Sequence, residues 1–230
     1  TNSLTITDNR NTSGGLYSDG TDTLSNIEYI QFLDQTVEES KVDIVKTFAG
    51  NFRDYKFYNK GNGNYEIKDS SGTTDDITGI PKLTFEDKTA DESVSAIADI
   101  KGVFDLVTGK ETASGEMFRL YNAAFARFPD ASGLEYWIDK FSSGTDDARA
   151  VASSFLVSDE FSERYGANVT NAKYVETLYV NVLGRDYDQD GYNYWLGNLN
   201  AGIETRHELL LGFAEAAENK TLFTEMTGFI

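Results

Sequence analysis

Apolar and polar positions alternate with a period of two over the first ninety residues and recur at helical spacing after them, which divides the chain near residue 92. Leu4-Thr5-Ile6-Thr7 and Tyr65-Glu66-Ile67-Lys68 put apolar side chains on every second position, as half-buried strands do. Tyr55-Lys56-Phe57-Tyr58 runs into Asn59-Lys60-Gly61-Asn62-Gly63-Asn64 and predicts a strand entering a glycine-rich hairpin turn. The region is duplicated. Leu24 to Thr36 matches Ile77 to Thr89 at an offset of 53, while Leu4, Ile6 and Asp8 match Tyr65, Ile67 and Asp69 at an offset of 61, so the first unit has the longer loop. Each unit is expected to be a few short antiparallel strands. One unit buries little apolar surface alone, so stacking on a neighbour is the expected solution. Phe48-Ala49-Gly50 opens the second unit; the first lacks that opening, and the chain reads as a piece of a longer repetitive protein.

Val94, Ile97, Ala98, Ile100, Val103 and Phe104 fall at helical spacing and predict a connecting helix ending at Thr108-Gly109. Four short helices should follow, over 116–127, 132–141, 146–156 and 159–165. Four more should cover 172–183, 191–199, 204–216 and the stretch from Glu218. The two sets are copies. Leu120-Tyr121, Phe125, Arg127, Asp130, Gly133 and Tyr136-Trp137 return 58 residues later as Leu178-Tyr179, Leu183, Arg185, Asp188, Gly191 and Tyr194-Trp195. The register holds on to Phe155 and Phe213, and to Glu160 and Glu218. The expected fold class is α+β in two segregated parts, N-terminal antiparallel β repeats and a C-terminal all-α duplicated helical bundle. Residues 1–92 would be the strand repeats, 93–112 the connection, and 113–230 the helical domain with copies 113–168 and 171–226.

Composition narrows what such a chain can do. Its 230 residues carry 20 Lys+Arg against 38 Asp+Glu, a net charge of −18, which argues against nucleic-acid and anionic-membrane partners because both require a basic face. There is no cysteine, so disulfides, thiolate nucleophiles and zinc–thiolate sites are excluded. The single histidine, His207, sits in the polar first turn of an expected helix and leaves no room for a multi-histidine metal centre. No apolar run approaches the roughly 20 residues of a membrane span. Gly-x-Ser-x-Gly, His-Glu-x-x-His and a phosphate-cradling glycine loop are all missing.

The candidate site residues lie in the duplicated helical stretch. Asp186-x-Asp188-x-Asp190-Gly191 has the first half of a calcium loop, with alternating carboxylates and a glycine at the turn, but Gly197 stands where the closing acidic ligand belongs. The alternative is helix capping, in which Asp188 or Asp190 accepts from free N–H groups of the helix starting near Gly191, as Asp130 or Ser132 would in the first copy. Asp186, Asp188, Asp190 and Asp130 are therefore candidate ligands for calcium, the one cofactor expected. Glycine- and aspartate-rich loops at 11–15, 18–22 and 69–76 are further calcium candidates or plain turns. Trp137 and Trp195, with Tyr136 and Tyr194, are either an aromatic platform for sugar rings or core residues packed on Tyr121 and Tyr179. Arg127 and Arg185 are either an anion clamp or structural partners of a helix end.

Two resemblances attach to these residues. Gly20-Thr21-Asp22-Thr23-Leu24-Ser25-Asn26-Ile27-Glu28-Tyr29-Ile30-Gln31-Phe32-x-Asp34 resembles segments flanking the calcium repeats of RTX-like proteins exported by type I secretion. Leu178-Tyr179, Leu183-Gly184-Arg185, Asp188, Gly191 and Tyr194-Trp195, continued by Leu199, Gly202 and Phe213 to Asn219, are similar to the repeat of domain-of-unknown-function family 4214. The first copy departs from it at Ala126, for Gly184, and at Phe128-Pro129, for Asp186-Tyr187. The resemblance implies a bacterial surface-layer, RTX-type or adhesin-like context, attachment to lipopolysaccharide by analogy with related repeats, and no enzymatic activity. The expectation is a non-enzymatic structural or interaction module of an extracellular or cell-surface protein. Its partners would be a surface polysaccharide, lipopolysaccharide or neighbouring copies of the parent, with no nucleic acid and no membrane insertion. The alternative is a carbohydrate-binding accessory region of a secreted hydrolase.

Overall fold

The computed structural model describes residues 3–7, 21–25, 29–31, 36–38, 45–80, 82–87 and 96–230, with side chains from residue 45 among the strands and from 99 in the helices. The layout is α+β, strands first and helices after. β1 (Ser3–Thr7) pairs antiparallel with β2 (Thr21–Ser25), and β3 (Tyr29–Gln31) with β4 (Thr36–Glu38). The second unit comprises β5 (Val45–Thr47), a 3-10 turn at Phe52–Asp54, β6 (Lys56–Gly61), β7 (Asn64–Lys68), β8 (Thr74–Asp76) and β9 (Lys82–Thr84). Strands β6, β7 and β8 form an antiparallel sheet in that order. The β6–β7 turn is Asn62-Gly63 with φ of 54° and 78°, the left-handed pair that a tight hairpin requires.

The β duplication extends to the register. Leu4 faces Leu24 across β1 and β2. Their counterparts Tyr65 and Ile77 also face each other, joined by a 3.0 Å bond from the Ile77 N–H to the Tyr65 carbonyl. One pair departs from the antiparallel expectation: β5 runs parallel to β9, with Lys46 beside Leu83. A parallel pair requires a long crossover, and the whole β6–β8 meander serves as one, bringing the opening of the unit beside its close.

Nine helices follow among the described residues: α1 (Ala96–Leu106), α2 (Ala113–Phe125), α3 (Ala131–Ser142), α4 (Ala148–Leu156), α5 (Asp159–Tyr165), α6 (Asn171–Leu183), α7 (Gln189–Ala201), α8 (Arg206–Ala214) and α9 (Ala217–Thr227). The four starts of the second set fall 58 residues after those of the first, because the caps are duplicated with the helices. Thr112 and Thr170 accept from the N–H three residues on, as do Asp130 and Asp188, and Asp147 and Thr205. Thr112 also explains why α2 begins three residues before the apolar pattern suggests. In each copy the first helix packs on the other three. Across the copies, α8 packs on α2 and α4.

An ion pair fastens the copies together. Arg119, 1% exposed, donates from Nε and Nη2 to both oxygens of Glu215 at 2.9 Å, and its guanidinium lies 5.2 Å from the Phe223 ring. A buried guanidinium needs a partner, and a two-pronged carboxylate is the geometry that suits it.

The strand unit joins the helices through Phe128, which is 3% exposed. Its ring sits 4.9 Å from Phe57 of β6, 5.2 Å from Phe104 of α1 and 6.0 Å from Phe118 of α2. The far side of β6 is covered by α9. The departure at Phe128 thus has a physical reason: the first copy's loop is an apolar wedge under the sheet, while Asp186 in the second copy faces solvent. Phe128→Ala should lower stability in a denaturant titration by about 3–5 kcal/mol, the usual cost of emptying a large buried aromatic site. Asp186→Ala, at the exposed counterpart, should stay within about 0.5 kcal/mol when measured in EGTA.

Candidate functional site

The duplicated residues converge where the first helix of each copy ends and the second begins. The first helix stops at a left-handed residue, Gly184 (φ 66°) in the second copy and Ala126 (φ 46°) in the first. Glycine reaches that conformation freely and alanine does so at a cost. The next residue is the arginine. Arg127 lies over Tyr121 at 5.2 Å, donates to the Phe128 carbonyl at 3.0 Å and grips Glu160 through two donors, Nη2 to Oε2 measuring 2.9 Å. Arg185 repeats this with Tyr179 at 5.1 Å, the Asp186 carbonyl at 3.2 Å and Glu218 at 3.0 Å. Each arginine therefore ties its loop to the fourth helix of its own copy.

The aspartates cap. The Gly133 N–H donates to Asp130 Oδ1 at 2.6 Å, and the Gly191 N–H to Asp188 Oδ1 at 2.8 Å. The Tyr121 hydroxyl adds a 3.2 Å bond to Asp130 Oδ2. Both glycines are there for want of space: a Cβ on Gly133 would come within 2.9 Å of the Tyr121 hydroxyl, and one on Gly191 would strike the Tyr179 hydroxyl. Burial pushes the Tyr121 phenol up to about 12. Burial works against the Arg127 charge, yet its bonds to Glu160 outweigh that and raise its pKa. At Asp130 burial is likewise outweighed, here by the Gly133 N–H and the Arg127 charge, and the carboxyl is held below its usual range. The Gly191 bond, with Arg185 beside it, lowers Asp188.

Asp186, Asp188 and Asp190 are all exposed, and Asp188 also stands 3.5 Å from Arg185. Their oxygens are of the kind calcium takes, but among the described residues no three acidic or histidine side chains converge on one point. In the loop at 69–76, Asp69 Oδ1 accepts from the Ser71 N–H, the Ser71 hydroxyl and the Thr73 N–H at 2.9, 2.7 and 2.9 Å, a turn closed on itself. The loop at 11–15, and 18–20 of the next, lie outside the described residues.

Trp137 and Trp195 are half-buried, edge-on to Phe155 at 5.2 Å and tilted on Phe213 at 6.0 Å. Tyr136 and Tyr194 beside them are 52% and 58% exposed. A cleft of about 990 Å³ separates the strand unit from the first copy, with Phe52, Asp87, Ile100, Arg127, Asp130 and Glu160 on its walls. Four of its polar residues are engaged by the protein itself: Asp87 accepts from the Phe52 N–H at 2.7 Å, and Arg127, Asp130 and Glu160 form the clamp and cap just described, while Arg53 and Glu163 also line it.

Residues 152–223 match the model of a family described as Domain of unknown function (DUF4214). The match runs from α4 into α9 and contains the whole loop of the second copy. It shows for that segment the resemblance drawn from the DUF4214-like residues, while the remodelled loop of the first copy lies outside it. Neither a curated protein nor a solved structure matches the chain. The Arg119–Glu215 pair had no signal in the duplication, since their counterparts are Thr177 and Val157.

Two measurements check this geometry. Gly191→Ala should cost about 1–3 kcal/mol through overpacking against Tyr179, and Tyr179→Phe in the same chain should return part of it by removing the clashing oxygen. Gly197→Ala, with open space around it, should instead stabilise α7 by roughly 0.5–1 kcal/mol. The second concerns pH. Tyr121 and Tyr165 hold their protons to about 12 in the fold, whereas an unfolded tyrosine releases its own near about 10. The unfolded state binds fewer protons between those values, so stability should fall as pH rises through that window. Melting curves taken alongside tyrosinate absorbance would record it.

Proposed function

We propose that this chain is a non-enzymatic scaffold and interaction module of a secreted or cell-surface protein, whose tandem helical copies hold a parent protein against a surface polysaccharide. The observation that supports this most is the fate of the repeated polar residues. Tyr121, Arg127, Asp130 and Glu160 in one copy, and Tyr179, Arg185, Asp188 and Glu218 in the other, are engaged with one another as ring contact, clamp and cap. A motif spent on holding a loop still is a motif for display. The net charge of −18 supports an exposed, soluble role, and no helix among the described residues is long and apolar enough to cross a membrane.

Calcium enters the proposal as a structural ion at Asp186, Asp188 and Asp190. Millimolar calcium outside cells suits weak oxygen sites, and binding would have to draw Asp188 from Arg185. Labelled chain should bind Gram-negative cells that carry long surface polysaccharide and leave cells stripped of it; equal binding to both, or none, overturns the reading. The melting midpoint should rise from EGTA to millimolar calcium, and that rise should vanish in Asp186→Ala. A midpoint indifferent to calcium removes the ion from the proposal.

A further inference from the structure

Nearly every residue that the two helical copies share has an internal partner, and one has very little. Tyr136 and Tyr194 each meet their neighbouring tryptophan edge-on at 4.9 Å, the Lys140 ammonium lies 5.6 Å from the Tyr136 ring, and the rest of both residues stands in solvent, 52% and 58% exposed. Folding gains little from such a ring. The tryptophans beneath are anchored on Phe155 and Phe213, so each exposed ring has a rigid backing. In the first copy the ring forms one wall of an open groove of about 610 Å³, completed by Asp139, Lys140, Ser142, Ser143 and Thr145. At the equivalent places the second copy has amides, Asn198 and Asn200, for Lys140 and Ser142.

We propose that the Tyr136 groove, seconded by Tyr194, is a binding site for a neutral polysaccharide. The proposal rests on the interaction reading above and names the site and the class of glycan. An aromatic face packs against the C–H face of a pyranose ring, and the hydroxyls, carboxylate and ammonium around Tyr136 match the mixed donors and acceptors on the ring's edge. The groove is too open and too polar to hold an apolar peptide side chain, and an open groove lets a long chain pass through. Charge selects the class. The net charge of −18 repels polyanions, and in the groove the single cation, Lys140, is offset by Asp139, so no local excess of positive charge draws them in. Two such rings, one on each of two copies that pack together, offer a repeating polymer two points of contact, which raises avidity.

Affinity gel electrophoresis of the full chain in dextran, laminarin and alginate gels tests this. Retardation is expected in at least one neutral gel and not in alginate. Tyr136→Ala/Tyr194→Ala should weaken that retardation by about tenfold or more, the combined loss of two ring contacts. Both side chains are exposed, so the variant's melting midpoint should match the parent's, which separates lost binding from lost folding. Retardation that persists in the double variant overturns the site while leaving glycan binding intact. Chain that binds polysaccharide-bearing cells yet is retarded in alginate alone overturns the neutral class, and retardation in no gel overturns the proposal. Failure to bind those cells overturns the reading beneath it.

Discussion

One phenylalanine decides how the second strand unit and the helices meet. Phe128 is held among Phe57, Phe104 and Phe118, one ring each from the sheet, the connecting helix and the first repeat helix. A three-stranded sheet of this size cannot bury enough apolar surface to stand alone. The helical copies provide the second layer, and the wedge fixes where it lies. The wedge stands where the second copy has its acidic loop, and Ala126 keeps the left-handed turn without glycine.

The second copy shows what the same loop does without a sheet to meet. Its acidic residues face water, while cap and glycine persist and the clamp keeps its partners with one bond to the glutamate instead of two. Solvent-facing chemistry therefore varies between copies while the internal linkages hold. An arginine stacked on a tyrosine, bonded to the loop carbonyl and paired with a glutamate of the fourth helix closes each copy on itself. Most of that net is partly exposed, so its worth lies in geometric definition more than in ion-pair energy.

Joining the copies takes a different device. Arg119 is almost wholly buried, and its guanidinium crosses to Glu215 of the other copy, where Lys220 adds a second cation at 3.0 Å. Because Thr177 and Val157 stand at the equivalent places, the contact is made once and cannot propagate the same way from copy to copy. The pair of repeats is thus an asymmetric unit with distinct ends.

Much of this was legible in the residues. Period two against period 3.6 separated strands from helices, because side-chain direction follows backbone geometry directly. The offset of 58 located both copies, and the offsets of 61 and 53 related the two strand units, though which strands pair came only from the structure. That an aspartate or its near neighbour caps each second helix was readable because capping involves residues three apart, and the structure picks Asp130 over Ser132 and Asp188 over Asp190. The parallel run of β5 beside β9, the burial of Phe128 and the Arg119–Glu215 pair were not legible. Each depends on which distant segments meet, and no local pattern encodes that. Nor could sequence say that the tryptophan beside each tyrosine would turn inward and leave the tyrosine in water. On a helix, neighbours face different ways, and only the packed core decides which of the two it takes.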